Sequence, residues 1–212
     1  MKIKQFTISK KIALLSGIPL IAYLIVSVFF MVKDFNESRV VLLMEQNINR
    51  LSIISDLILE LQRERGKTNT YLNGGMDFDE IEAQKNKTNI QIKLVQSELI
   101  EKSETGKKED LAKLLDEITV IRNTFNQQEK SPLEVFKSYS GLISKYLKFY
   151  RHIANESTTR GIGKEIVTLN ILEEAKEFYA QFRGLTSELL ARNTAFNTEE
   201  FSLVNKYKTG AE

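Results

Sequence analysis

The chain has 212 residues with 30 Lys+Arg against 28 Asp+Glu, and a formal net charge of +2 is too small for a dedicated nucleic-acid binder. Zero cysteines exclude disulfides, thiolate zinc sites and a cysteine nucleophile, and the single histidine, His152, cannot build a conventional imidazole metal site. Only 10 Gly and 2 Pro, set among abundant Leu, Ile, Glu and Lys, favour long helices over sheet, so an all-α fold is expected.

In chain order, residues 1–11 form a flank in which Lys2, Lys4, Lys10 and Lys11 stand without an acid. Residues 12–32 then carry no charge at all. That length crosses a hydrocarbon core of ~30 Å as a helix, so the stretch is read as a transmembrane anchor. A cleaved signal peptide is the rival, but its apolar region is shorter and ends at small residues, whereas Val28-Phe29-Phe30-Met31 is bulky. A buried core helix of a soluble protein is the other alternative. The lysine flank puts the N-terminus in the cytoplasm and residues 33–212 outside the cell membrane.

The anchor is expected to run on from Asn36 into an amphipathic stripe. Met44, Ile48, Leu51, Ile54, Ile58 and Leu61 recur at steps of three and four, the spacing of one buried helix face. Arg65 is the next step on that face. A buried arginine needs an anionic partner, because an unpaired buried charge is costly. Asn73-Gly74-Gly75 accepts left-handed conformations and is expected to stop the helix.

A second helix is expected to start near Asp77 or Asp79, whose acids favour a helix N-terminus and lack the spacing of a calcium loop. It carries Ile81, Thr88, Ile92, Val95 and Leu99 with a polar middle from Gln84 to Asn89, the mark of an outer helix. After a turn at Ser103–Lys108, Leu111, Leu114, Leu115, Ile118, Ile121 and Phe125 form a third amphipathic face. Ser131-Pro132-Leu133-Glu134 is a capping box with proline at the first helical position. The helix it opens presents Phe136, Tyr139, Ile143, Tyr146, Tyr150 and Ile153, an aromatic stripe that reads as core packing.

Ser157–Gly163 is read as a loop or loosened joint. The next helix, from about Lys164 to Arg192, carries Ile171, Ala175, Phe178, Phe182, Leu185 and Leu189, with Arg183 beside that stripe. Asn197-Thr198-Glu199-Glu200 signals a last start, followed by Phe201, Val204 and Tyr207. No repeat of fixed length stands out, and neither a phosphate loop nor a paired-glycine dinucleotide fingerprint occurs.

The run from Ile58 to Gly75, ILELQRERGKTNTYLNGG, resembles the start of the nitrate- and nitrite-sensing (NIT) domain, which places an LQxERG-type motif near the end of its first long helix. The stretch Leu172-Glu173-Glu174-Ala175-Lys176 through Phe182-Arg183-Gly184-Leu185 resembles the family's second landmark, a later helix carrying another arginine. It departs from it in having Phe182 where an acid usually precedes the arginine and Gly184 where alanine often follows. The resemblance implies a helical-bundle sensor over residues 33–212, incomplete at its C-terminus, of the kind found in chemoreceptors, sensor histidine kinases and RNA-binding antiterminators. It also implies a homodimer and a cytoplasmic signalling module absent from this chain. The site it implies is an anion pocket of Arg65 and Arg183. Arg63 is a weaker third candidate, because it points elsewhere on the helix and is better placed for a surface acid.

Two functional readings follow. One is the extracytoplasmic sensory region of a membrane receptor for chemotaxis or two-component signalling, responding to a small anion such as nitrate or nitrite, with no metal, cofactor or nucleic acid. Arginine suits that ligand because its planar fork donates two parallel hydrogen bonds and keeps its charge when buried. The other is a membrane-anchored helical interaction protein in which Arg65 forms an interhelical salt bridge with Glu173, Glu174, Glu177 or Glu188. An enzyme is not expected, since no nucleophile, base and orienting group can be assembled.

Overall fold

The computed structural model describes residues 8–101, 107–126, 130–156, 163–192, 195 and 197–211. Its helices are α1 (Ile8–Leu72), α2 (Phe78–Val95), α3 (Lys107–Asn126), α4 (Pro132–Glu156), α5 (Gly163–Arg192) and α6 (Thr198–Ala211), with a π-helical segment, Gln96–Glu101, directly after α2. The fold is all-α, and no strand occurs among the described residues. The expected turn at Ser103–Lys108 lies mostly outside the described residues, as does most of the joint at Ser157–Gly163.

The chain divides into two compact units, Met1–Gln46 and Asn47–Glu212. In the first, Leu15–Arg39 is long and apolar enough to cross a membrane, with a mean hydropathy of 2.3 and none of its most apolar window buried. This overlaps the expected span 12–32 but reaches further toward Arg39. Its bulky side chains, Phe29, Phe30 and Met31 among them, are exposed, so the stretch is not a core helix of this fold.

In the second unit the stripe of α1 is buried as its spacing requires: Leu51, Ile54, Ile58, Leu61 and Arg65 are all withdrawn from solvent. Ile48, expected to continue it, is 52% exposed, so the packed face begins one turn later. A second stripe one residue out of step, Ile53 and Leu57, is buried as well, which makes α1 a helix covered on more than one side. The main core gathers these residues with Val95, Leu99, Leu115, Ile118, Tyr139, Ile143 and Tyr146. A smaller cluster joins Phe136 of α4 to Leu185 and Leu189 of α5 and Tyr207 of α6.

The helix ends follow local chemistry. Gly74 has φ 77°, and Gly74 N–H and Gly75 N–H donate to the carbonyls of Tyr71 (2.8 Å) and Thr70 (2.9 Å). This pair of bonds satisfies the last carbonyls of α1, and the left-handed residue is a glycine because a Cβ there is strained. α4 opens on the expected box, Ser131 N–H donating to Glu134 at 2.9 Å and Glu134 N–H to the Ser131 hydroxyl at 3.4 Å. α6 opens on the same device built from Asn197 and Glu200.

Contacts along the chain set the directions. Lys67 meets Glu80 and Glu60 meets Gln84, so α2 folds back antiparallel on α1. Arg151 pairs with Glu174 near one end of α4, while Phe136 lies against Gly184 near the other, so α5 returns antiparallel on α4. α5 and α1 run parallel, since Ser55, Gln62 and Asn69 meet Glu173, Glu177 and Glu188 in ascending order.

The polar faces of α2 and α5 are more buried than expected. In the polar middle of α2, Gln84, Lys85 and Thr88 are buried, Gln84 donating to Glu60 and Lys85 lying over the rings of Phe78 and Phe125, while Asn86 and Lys87 are exposed. The inward face of α5 is also polar through much of its length, formed by Asn170, Glu177, Gln181 and Glu188, while Ile171 is 61% exposed. Gln84 donates to Glu60, and Glu177 and Glu188 accept from Arg65, Gln62 and Asn69, all on α1, whereas Asn170, Gln181 and Lys85 bond within their own helices to Glu174, Glu177 and Glu82.

Candidate functional site

The Gln62–Asn69 stretch of α1 is where the two apolar stripes give way to polar side chains that remain buried. Glu64, Arg65, Thr68 and Asn69 are each at most 5% exposed. Because adjacent positions on a helix diverge by about 100°, Glu64 and Arg65 enter different environments.

Glu64 faces α2, α3 and α4. Arg122 of α3 grips its carboxylate with a two-pronged fork, Nε to Oε1 and Nη2 to Oε2 both at 2.7 Å, and the Tyr139 hydroxyl donates to Oε1 at 2.8 Å. Arg122 Nη1 also donates to Asn89 of α2 at 2.7 Å. Burial pushes the Glu64 carboxyl up, but the hydrogen bonds and charge of Arg122 outweigh it and leave the group below its ordinary value. Burial and the Glu64 charge together hold the Tyr139 hydroxyl well above the usual phenol range. Sequence reasoning missed this cluster, although Glu64 extends the stripe of Ile53 and Leu57 as Arg65 extends the other.

Arg65 faces α4 and α5. Its Nη1 and Nη2 reach Oε1 and Oε2 of Glu177 at 2.5 and 3.3 Å, and Nη1 also donates to the Ser140 hydroxyl at 2.9 Å. The Phe136 ring lies beneath the guanidinium, 4.9 Å from its carbon, an apolar wall and a cation–π partner at once. Glu177 further accepts from Gln62 at 2.8 Å and from Gln181. Of the four acids expected as alternatives, Glu177 is the one that pairs. Glu174 goes to Arg151, Glu173 to Ser55 and Lys176, and Glu188 accepts from Asn69. Truncating either partner of this buried pair strands the other, at a cost of ~3–5 kcal/mol.

Glu177 takes only one edge of the guanidinium. Among the described residues no acceptor meets Nε or the remaining hydrogen of Nη2, so the other two-donor edge of Arg65 is unfilled. Arg65 lines a cavity of about 950 Å³ bounded by α1, α2, α4 and α5. Arg63, Lys67, Lys87 and Arg183 line the same cavity, against one lining acid, Glu188. Arg63, Arg65 and Lys67 are paired with Glu60, Glu177 and Glu80, so Lys87 and Arg183 are the lining cations without an acidic partner among the described residues. Arg183 is exposed to the cavity side and has no ion-pair partner among the described residues. Arg63 pairs at the surface with Glu60 at 2.5 Å, the role expected from its direction on the helix. Gly66 and Gly184, each following an arginine, also line the cavity, and a Cβ at Gly66 meets nothing within 4 Å. No cluster of acids and histidine that could hold a metal ion occurs among the described residues.

The arrangement can therefore receive a small planar anion, with two parallel N–H donors at a buried end, a second guanidinium on a neighbouring helix and an aromatic wall. The chamber, at about 950 Å³, is far larger than a four-atom anion, so its shape alone would not select one.

No curated protein matches this chain. Among solved structures, the NasR transcription antiterminator is similar, with a TM-score of 0.72 at 20% sequence identity over 88% of this chain and 53% of that one. At that identity the likeness establishes the fold, and this chain spans about half the length of the structure it matches. The model of the family described as nitrate and nitrite sensing matches residues 56–212, a range that contains Arg65, Arg183 and the cavity between them. The chain belongs to the nitrate- and nitrite-sensing (NIT) family.

Proposed function

We propose that this chain is the sensory region of a membrane signalling receptor, in which nitrate or nitrite is held between Arg65 and Arg183. The observation that carries the reading is a buried arginine, Arg65, whose Nε meets no acceptor among the described residues and which lines a cavity together with Lys87 and Arg183, cations without an acidic partner there. Two oxygens of a planar anion match its Nε/Nη2 edge, and Arg183 supplies charge that no acid in the described structure neutralises. The apolar stretch Leu15–Arg39 and the lysines before it support a membrane receptor. The domain then lies outside the cytoplasm. Binding acts by population shift, favouring whichever packing of α1, α4 and α5 offers the anion more donors.

The test is a titration of the purified full chain in detergent against nitrate, nitrite, chloride and sulfate. Saturable binding of nitrate or nitrite in preference to chloride supports the reading. Absence of binding by all four leaves the Arg65–Glu177 pair as a structural bridge of a helical interaction protein. Orientation is tested separately: a periplasmic reporter fused after Gly75 is active, and activity of a cytoplasmic reporter at that point refutes the topology.

A further inference from the structure

We propose that Glu177 is an intramolecular competitor of the anion, a tethered carboxylate that occupies Arg65 in the empty site and moves away when nitrate or nitrite enters. The inference rests on the anion reading above and adds the residue that sets its affinity and couples it to helix movement. A carboxylate presents two oxygens on a planar centre, the same pattern as nitrite and two-thirds of nitrate, and Glu177 uses both oxygens on Arg65. While it does so, it neutralises the guanidinium. An anion arriving at the Nε/Nη2 edge meets a like charge across one buried group, where screening is weak.

The structure also holds a destination for the displaced carboxylate. Glu177 borders a second cavity, about 500 Å³, between α4, α5 and α6. Lys148 and Lys206 line this cavity and have no acidic partner among the described residues, whereas its other cations, Lys137 and Arg151, are paired with Glu199 and Glu174. Two lysines without an acidic partner among the described residues therefore line the cavity that Glu177 borders. The burial that raises the Tyr207 hydroxyl is modified by both Arg65 and Glu177, which places this α6 side chain within the field of the pair. Rotation of the Glu177 side chain transfers its charge from Arg65 on α1 to Lys148 on α4 and Lys206 on α6. Gln62 and Gln181, which hold the carboxylate in place, are released in the same step. Exchange of partners thus converts anion binding into loss of the α1–α5 tie at this level.

The experiment is isothermal titration of nitrate into the full chain in detergent, for wild type, Glu177→Gln, the double variant Lys148→Met/Lys206→Met, and the triple combination. Glutamine keeps an acceptor for Arg65 and removes the competing charge, so nitrate binding tightens by about tenfold or more, the scale of relieving a like-charge juxtaposition. The two lysines are exposed and do not line the nitrate cavity, so their removal leaves the fold intact and weakens nitrate binding several-fold by removing the destination. In the triple variant the lysine effect disappears, because no charge remains to be moved. Wild type that binds nitrate while Glu177→Gln binds it equally or more weakly, or while the lysine variant is unchanged, overturns the competitor role and leaves the anion site standing. If neither wild type nor Glu177→Gln binds nitrate, the anion site and the competitor fall together.

Discussion

Replacing Arg122 by methionine tests the polar cluster that ties α1 to three other helices. The substitution preserves an unbranched chain but leaves Glu64, which has no exposed surface, with Tyr139 in place of a two-pronged cation. Stranding one member of a buried pair costs ~3–5 kcal/mol, and for a domain of this size each kcal/mol lowers the melting temperature by ~2–4 °C. The expected fall is therefore roughly 6–20 °C by circular dichroism of the full chain in detergent. The sign of the pH dependence reverses as well. In wild type the folded Glu64 titrates below its unfolded value, so its contribution is present above the unfolded pKa and is lost as pH falls through the folded one. Without Arg122 the desolvation that pushes the carboxyl up is left with little to oppose it. Stability then declines as pH rises from the unfolded pKa to the raised folded pKa, and the deficit against wild type is smaller near about pH 4 than near about pH 7. Adding Glu64→Gln recovers much of the loss by removing the stranded charge. A variant within about 0.5 kcal/mol of wild type at neutral pH refutes the argument, because that is the range of an inert surface change.

Arg65→Lys keeps the charge but not the planar fork, and nitrate binding is expected to weaken by ~1.5–3 kcal/mol, measured by titration. Gly66→Ala meets no neighbour and gains helix propensity, so unfolding should show ~1 kcal/mol of added stability. The larger Gly66→Leu intrudes on the cavity and should lower nitrate affinity without lowering the melting temperature. Ser131→Ala removes half of the box that opens α4 and should cost ~0.5–2 kcal/mol in denaturant unfolding, with no effect on nitrate affinity.

What the sequence made legible was what local chemistry decides. The stop at Gly74, the starts at Ser131 and Asn197, and the burial of Leu51, Ile54, Ile58 and Leu61 all depend on residues within a turn or two of each other. The aromatic stripe of α4 was legible for the same reason, and Phe136, Tyr139, Ile143, Tyr146, Tyr150 and Ile153 are all buried. The polar face of α5 was not, because Glu177 is buried through a partner 112 positions earlier in the chain, and nothing local distinguishes it from a solvated acid. Lys85 escaped for a related reason, since the rings that shelter it come from Phe78 and from Phe125 of α3. In the candidate site, the position of Arg65 followed from periodicity and the place of Arg183 from family likeness. Their shared cavity required the parallel pairing of α1 and α5, which no spacing in either helix encodes.

Arg183 offers the most direct test of the anion site, because it lines the cavity without being tied into the buried pair. Arg65→Ala confounds the question by stranding Glu177, whereas Arg183→Ala removes only an exposed cation. The measurement is nitrate titration of wild type and Arg183→Ala in the same detergent, with the melting temperature of each recorded without nitrate. Saturable binding by wild type, at least about tenfold weaker binding by the variant, as expected for a lost hydrogen bond to a charged group, and equal melting temperatures are the expected results. Equal affinities for nitrate, or a wild-type chain that does not bind it, would contradict the account.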